Sequence, residues 1–259
     1  MNPNSEVTIL GATGMLGSAC AKEFPNAKTP TRREIDAETD TPNLTGWVIN
    51  CIGSIPQREK NDEMMWKINA EFPKRIEAAK VIQIATDCVF DGQSGSYSEN
   101  SVKSATDQYG RSKIIGEEAI SMKIRCSIIG PDKTNASLFE WVRRQQEGAE
   151  INGYVDHIWN GVTTQIFAKL CSGLIQEDFY YNDTFHFVPA DKVSKFELLS
   201  MIAVKTGRTD LSIKPVETLK PIDRSLITNN PEINEKFWAL AGFDKPPTVQ
   251  EMINVLNLQ

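Results

Sequence analysis

A chain of 259 residues with 40% hydrophobic and 24% charged residues has the balance of a globular protein and is long enough to bury a substantial core. Its net charge of −6 argues against a general nucleic-acid-binding surface, although a helix N-terminus and a few arginines suffice for a local anion. No apolar run approaches the roughly 20 residues of a membrane span.

Residues 1–6 lead into a strand without a charged-then-apolar leader. The five cysteines (Cys20, Cys51, Cys88, Cys126, Cys171) have no metal-ligand spacing. Reduced thiols in a cytoplasmic protein without a bound metal are therefore expected.

Along the chain, 7–10 reads as a short buried strand, followed by Gly11-Ala12-Thr13-Gly14-Met15-Leu16-Gly17 and a helix that stops at Pro25. A second apolar strand covers 47–52. Helical spacing of Met65, Ile68, Phe72, Ile76 and Ala79 predicts a helix over 62–80. A strand at 81–85, a helix carrying Tyr109 and Lys113 to about residue 121, and a strand at 123–129 follow. Strands alternating with helices imply a parallel sheet with right-handed crossovers. Beyond Gly130-Pro131 the alternation ends. A helix at about 137–147, an aromatic loop at 153–161, a helix at 164–175 and a strand at 184–189 come next. Ser194-Lys195-Phe196-Glu197 is a capping box opening a helix to about 206. The last helix lies near 248–256. The expected fold is α/β, a Rossmann-type doubly wound parallel sheet with a smaller, mainly C-terminal substrate lobe. Residues 1–130 form the cofactor domain, with 162–192 rejoining it, and 131–161 with 193–259 form the lobe.

A glycine-rich turn between strand and helix lets backbone N–H groups approach a pyrophosphate, with the helix dipole adding to the attraction. The G-x-x-G-x-x-G spacing alone serves a simple tight turn as well; its place after the first strand points to a dinucleotide. Arg32 and Arg33 fall where the adenosine ribose is expected. An arginine there accommodates a 2′-phosphate and favours NADPH, while Asp36 keeps NADH in play. Two solvated surface arginines are the plain alternative. Asn50 to Gly53 ends a strand, where open α/β sheets bind ligands. Asn69 is a buried helix residue near that site or, equally, a satisfied structural asparagine.

Tyr109 and Lys113 stand one helical turn apart, with Thr86 ending an apolar run 23 residues upstream. An ammonium beside a phenol stabilises phenolate and lowers its pKa from about 10. Tyr109 is then a usable proton donor or acceptor for a carbonyl or alcohol. A lone Y-x-x-x-K is common; in order after a glycine turn and a threonine-ended strand it is specific. Asp87 reads as a local hydrogen-bonding acid. His157 and Trp159 belong to a substrate pocket or to a loop packed on its own side chains. Arg224 holds a diphosphate through its planar fork or makes a surface ion pair.

Together, Gly-Ala-Thr-Gly-Met-Leu-Gly, Asn-Cys-Ile-Gly, Ala-Thr-Asp-Cys-Val-Phe-Asp-Gly and Tyr-Gly-Arg-Ser-Lys-Ile-Ile-Gly-Glu resemble the extended short-chain dehydrogenase/reductases, in the dTDP-4-dehydrorhamnose reductase branch. Gly161-Val162-Thr163-Thr164, Phe185-His186-Phe187 and Lys220-Pro221 to Ser225-Leu226 extend the likeness over nearly the whole chain. The resemblance implies hydride transfer from NAD(P)H to a keto carbon of a nucleotide-linked sugar, serving surface polysaccharide synthesis. Tyr109 would give the proton, Thr86 would polarise the carbonyl, and Lys113 would bind the nicotinamide ribose. The implied cofactor contacts are Gly11, Thr13, Gly14, Met15, Leu16, Gly17, Arg32, Arg33, Cys51, Ile52, Gly53, Asn69, Ala85, Tyr109 and Lys113. On the substrate side stand Asp87, Val89, Phe90, His157, Trp159 and Arg224.

Cys88 replaces the tyrosine usual in the Thr-Asp-Tyr-Val-Phe-Asp-Gly motif, and Ile128 stands where rhamnose reductases carry a tryptophan. The segment before Tyr109 lacks its usual proline and asparagine. These changes fall near the sugar, which implies the same chemistry on a different 4-keto-6-deoxy sugar. An NAD-retaining epimerase or dehydratase is the enzymatic rival, since Thr86-Asp87 places an acid beside the threonine. A non-catalytic regulator resembling the regulatory subunit of methionine adenosyltransferase is the other. Expected partners are a nucleotide-sugar substrate and a second copy of the chain, with no nucleic acid and no membrane.

Overall fold

The computed structural model describes residues 6–119, 122–133 and 137–258. β1 (Val7–Leu10) leads through the glycine turn into α1 (Met15–Glu23), and β2 (Trp47–Asn50) follows. Next come α2 (Asp62–Trp66), a π-helical turn (Lys67–Glu71) and α3 (Phe72–Arg75). β3 (Lys80–Ala85), α4 (Gln108–Glu117) and β4 (Met122–Arg125) complete the regular alternation. β5 (Ile128–Ile129), α5 (Leu138–Arg143), β6 (Glu150–Tyr154), β7 (His157–Trp159) and β8 (Val162–Thr163) lead to α6 (Thr164–Gln176) and β9 (Asp183–His186). The chain then runs through β10 (Val193–Ser194), α7 (Lys195–Lys205), β11 (Ser212–Val216), β12 (Ile222–Asp223), α8 (Pro231–Leu240) and α9 (Val249–Val255).

Five strands form one parallel sheet in the order β1-β2-β3-β4-β9. Helices cover both faces, so β1 and β2 are buried along their whole length, as their continuous apolar sequence requires. Among the described residues, the sheet continues outside β1 as a bridge between Thr8 and Lys28. The carboxyl ends carry buried polar side chains: Asn50 is in register with Gln83, and Arg125 with His186. α6 is buried almost all round, between the sheet, α1 and α8. A Cβ on Gly173 would sit 2.7 Å from that of Leu240, which is how closely α6 and α8 cross. The remaining strands form a β10-β7-β12 sheet, a β6-β11 pair and a β5-β8 pair. One apolar cluster links Ile9 and Ile82 to Phe167, Phe185, Leu198 and Trp238, so both halves of the chain share a core. No helix among the described residues is long and apolar enough to cross a membrane.

Several boundaries differ from the sequence reading. The 62–80 helix ends at Arg75: Pro73 lacks an N–H to continue the ladder, and Glu77 instead exchanges backbone bonds with Pro42 and Leu44. The 123–129 strand splits after Arg125, and β5 pairs with β8 instead. α5 stops at Arg143 because the Arg208 guanidinium takes the carbonyls of Val142, Arg143, Gln145 and Gln146. The 153–161 segment is strand as well as loop, with β6 alternating exposed and buried residues along its length. The helix carrying Tyr109 is described to Glu117 as helix; residues 120 and 121 lie outside the described residues.

Candidate active site

The glycine turn is built for a group that approaches backbone closely. Gly11 has φ +76°, and a Cβ on Gly17 would lie 2.0 Å from the Gly11 carbonyl oxygen. Gly14, the N-cap of α1, has no side chain to satisfy the first-turn N–H groups. With no side-chain cap on them, these N–H groups form an anion cradle of the kind that fits a pyrophosphate. Thr13 is exposed and Met15 half-buried at the mouth, whereas the Leu16 side chain is in the core and offers the cleft its backbone. The end of β2 closes the turn: the Cys51 N–H donates to the Leu10 carbonyl at 3.0 Å, and Ile52 packs against Gly11. Where the adenosine ribose is expected, Arg32 is ion-paired with Glu38, with Asp36 3.6 Å away, and Arg33 is exposed. The arginine read as a phosphate ligand thus already faces two acids.

Beyond the turn, β2 and β3 end in a hydrogen-bonded block. Asn50 Nδ2 donates to Gln83 at 2.7 Å, and Asn50 Oδ1 accepts the Ile52 N–H. Asn69, in the π-helical turn, accepts from the Ser54 N–H at 2.9 Å and donates to the Ser54 carbonyl at 2.9 Å and to Ser112 Oγ at 3.1 Å. Ser112 in turn donates to the Tyr109 carbonyl. Asn69 therefore works as a clamp that fixes α4 against the end of β2. Gly53 has a separate reason to be glycine, since a Cβ there would lie 2.8 Å from Lys113 Nζ.

Ala85 ends β3 buried, and Thr86 caps the short 3₁₀ turn Asp87–Val89 by accepting the Cys88 N–H. Asp107 caps α4, and a Cβ on Gly110 would sit 2.4 Å from the Cys88 carbonyl oxygen. This tight crossing brings Tyr109 near Thr86, whose side chain bears on the phenol. Lys113 Nζ lies 5.9 Å from the Tyr109 ring centroid. Burial pushes the Tyr109 phenol up, with Cys88 adding to the effect and Thr86 opposing it. Burial also pulls Lys113 down to about 8, against the pull of Glu117. The expected lowering of the phenol by the ammonium is thus outweighed, because the cleft desolvates both groups.

Next to Thr86, Asp87 Oδ1 accepts from Thr86 Oγ1 at 3.2 Å. Burial raises its pKa, opposed by the charges of Arg224 and Lys195. Val89 and Phe90 are wholly buried with Tyr97, Val188 and Leu226, so their side chains belong to the core; the Phe90 carbonyl accepts from Arg224 Nε at 2.9 Å. His157 pairs through β7 with Ile222, and its ring meets Thr218 at 3.3 Å and Tyr154. Trp159 is buried, donates to Ser127 Oγ at 2.9 Å and lies under the Lys195 ammonium. The structure thus gathers Thr86, Asp87, Tyr109, Lys113 and Arg224 at one place and leaves His157 with its own sheet. Lys195 was missed by sequence reasoning: Ser-x-x-Glu marked it only as the first residue of a helix. Ser112 carried no signal at all.

No group of His, Cys, Asp or Glu among the described residues could hold a metal ion. A cavity of ≈ 610 Å³ shares Met15 with the glycine turn but lies between α1, α6 and the segment after α9, away from Tyr109.

A family model described as RmlD substrate binding domain matches residues 5–256. The chain belongs to that family. As an RmlD-family chain it is 26% identical over 242 residues to methionine adenosyltransferase 2 subunit beta of Danio rerio, covering 78% of this chain and 74% of the relative. It is 24% identical over 221 residues to a dTDP-4-dehydrorhamnose reductase of Mycobacterium tuberculosis, covering 75% and 70%. A dTDP-4-dehydrorhamnose reductase structure from Bacillus anthracis, solved in complex with NADP, superposes with a TM-score of 0.76 at 22% identity, over 96% of this chain and 97% of that one. At that identity the shared property is the fold.

Proposed function

We propose that this RmlD-family chain reduces the keto group of a nucleoside-diphosphate 4-keto-6-deoxy sugar with NADPH, or with NADH in its place, in surface polysaccharide synthesis. The observation that supports this most is the meeting of Thr86, Tyr109 and Lys113 at the carboxyl end of the sheet, across from the glycine turn. The fully covering relative solved with NADP is consistent with the choice of cofactor. Residues 1–130 with 162–192 would carry the cofactor, and 131–161 with 193–259 the sugar.

Bound NADPH would supply the hydride. The first turn of α1 would hold its diphosphate, and Lys113, reaching past Gly53, would hold the nicotinamide ribose. Thr86 Oγ1, turning its one proton away from Asp87, would donate to the sugar carbonyl oxygen and polarise it. Tyr109, held protonated by burial, would transfer its phenolic proton to that oxygen as negative charge develops there. The Asn69–Ser112–Tyr109 backbone chain keeps the phenol in position.

Loss of reduced-nicotinamide absorbance on a panel of nucleotide-linked 4-keto-6-deoxy sugars tests this reading. Turnover on one sugar is expected, with Tyr109→Phe lowering kcat by about 10²- to 10⁴-fold and leaving NADPH binding intact. A second reading is favoured by the methionine adenosyltransferase relative: a regulatory subunit that keeps the fold and cofactor site. Cofactor binding with no turnover, together with a stable complex with a partner enzyme, would decide for it. Tightly co-purified NAD would point to an epimerase or dehydratase.

A further inference from the structure

Two cations reach the cleft from the β10-β7-β12 sheet. Lys195 is the first residue of α7, and the pairing of Ser194 with Ile158 sets it beside β7. Its ammonium lies 5.8 Å from the centroid of Trp159, a ring fixed by its bond to Ser127. Arg224 follows β12 on the other side of β7. Its Nε is tied to the Phe90 carbonyl, and its stem lies against Gly92, where a Cβ would come within 3.0 Å of Arg224 Cγ. The charges of both bear on Asp87, the acid bonded to Thr86.

Neither cation has a carboxylate within 4 Å among the described residues, and only Nε of the Arg224 guanidinium has a hydrogen-bond partner there. Asp87 thus faces two positive charges in a partly desolvated wall, with Asp91 also in the field of Arg224, an arrangement that favours an incoming anion. The position of Lys195 adds an independent argument. A cation at the first residue of a helix is opposed by the helix dipole, so Lys195 is unfavourable for α7 itself.

We propose that Lys195 and Arg224 form a receptor for an anionic group of the substrate, a phosphate or a carboxylate, held within reach of Thr86 and Tyr109. Asp87 serves as their counter-charge until the substrate arrives. The inference rests on the sugar-nucleotide reading and adds the residue that selects among such substrates. Lys195 is a recognition residue here, with no part in the proton transfer.

The test is calorimetric titration of the full-length, NADPH-loaded protein with uridine and thymidine diphosphate, UDP-glucose and UDP-glucuronate. Wild type is compared with Lys195→Met and Lys195→Arg. Lys195→Met is expected to lose at least tenfold in affinity, with Lys195→Arg restoring most of it. NADPH affinity should be unchanged and Tm no lower than wild type. A loss common to all four probes assigns the diphosphate; a loss confined to UDP-glucuronate assigns a sugar carboxylate. Equal affinity of wild type and Lys195→Met for every probe overturns the inference and leaves the reductase reading standing. Failure of wild type itself to bind any probe while binding NADPH sinks both. Arg224→Met, run in parallel, covers the case in which Lys195→Met fails to fold, and its unaltered affinity for every probe would equally overturn the inference.

Discussion

Tyr109 and Lys113 bring opposite shifts to one helical turn. Burial raises the phenol and lowers the ammonium to about 8, so near neutral pH the pair is phenol plus ammonium, the state a proton donor to a carbonyl needs. As pH rises through about 8, Lys113 loses its charge while Tyr109 keeps its proton. We expect kcat/KM for the free enzyme to fall above that pH, and Lys113→Arg to move the limb out of the measurable range. The limb is not an unfolding limb. Between about 8 and the ordinary lysine value of 10.5 the unfolded chain binds more protons than the folded one, so this group makes the fold more stable as pH rises. Circular dichroism across the same pH range checks it; a Tm that falls together with activity would contradict the assignment. Thr86, Tyr109 and Lys113 were legible in sequence because their order and spacing are local. Lys195 was not, because its meeting with Asp87 depends on the pairing of β10 with β7.

At the scale of elements, the glycine turn and α1 are held to a very narrow geometry. The α-hydrogen of Gly17 faces the Gly11 carbonyl where a methyl would sit 2.0 Å from it. Gly17→Ala must therefore push α1 off the turn. We expect at least a tenfold loss of NADPH affinity in a fluorescence titration, with the fold destabilised by about 1 kcal/mol or more. An alanine variant that binds NADPH as wild type does would refute the cradle. The turn, the strands of the parallel sheet and the capped start of α7 were readable from sequence, since caps and continuous apolar runs are local signals. The 62–80 helix overran because Ile76 does keep its buried place, but in extended chain after Pro73. β6, β7, β10, β11 and β12 are two to five residues long and exist through non-local pairing, and the alternation of β6 spans too few residues to mark a strand by itself. α8 was missed although Pro231 at its first position is a start signal.

Across the whole molecule, a buried network ties the last strand of the sheet to the segment carrying Arg224. Arg125 on β4 pairs with Glu117 and bonds His186 Nε2 at 2.7 Å; His186 Nδ1 bonds the Ile227 carbonyl at 2.7 Å. Neutral imidazole satisfies both contacts, donating from Nδ1 and accepting at Nε2. Burial and the Arg125 charge accordingly lower its pKa to about 4. Below pH 6.5 the unfolded chain takes up a proton that the folded one refuses. Stability supplied by this group is thus complete above 6.5 and declines as pH falls to about 4, by up to about 3 kcal/mol. Urea unfolding at pH 7 and pH 4.5 should show His186→Gln losing less stability between the two than wild type. An equal loss would remove His186 from the account.

The most direct test of the central claim is where the hydrogen goes. The full-length protein would be incubated with NADPH deuterated at C4 and the panel of nucleotide-linked keto sugars, and the sugars then weighed by mass spectrometry. The account predicts that one sugar gains a single deuterium in wild type and none does in Tyr109→Phe. NADPH bound normally with no deuterium in any sugar, alongside a stable complex with a partner enzyme, would contradict it.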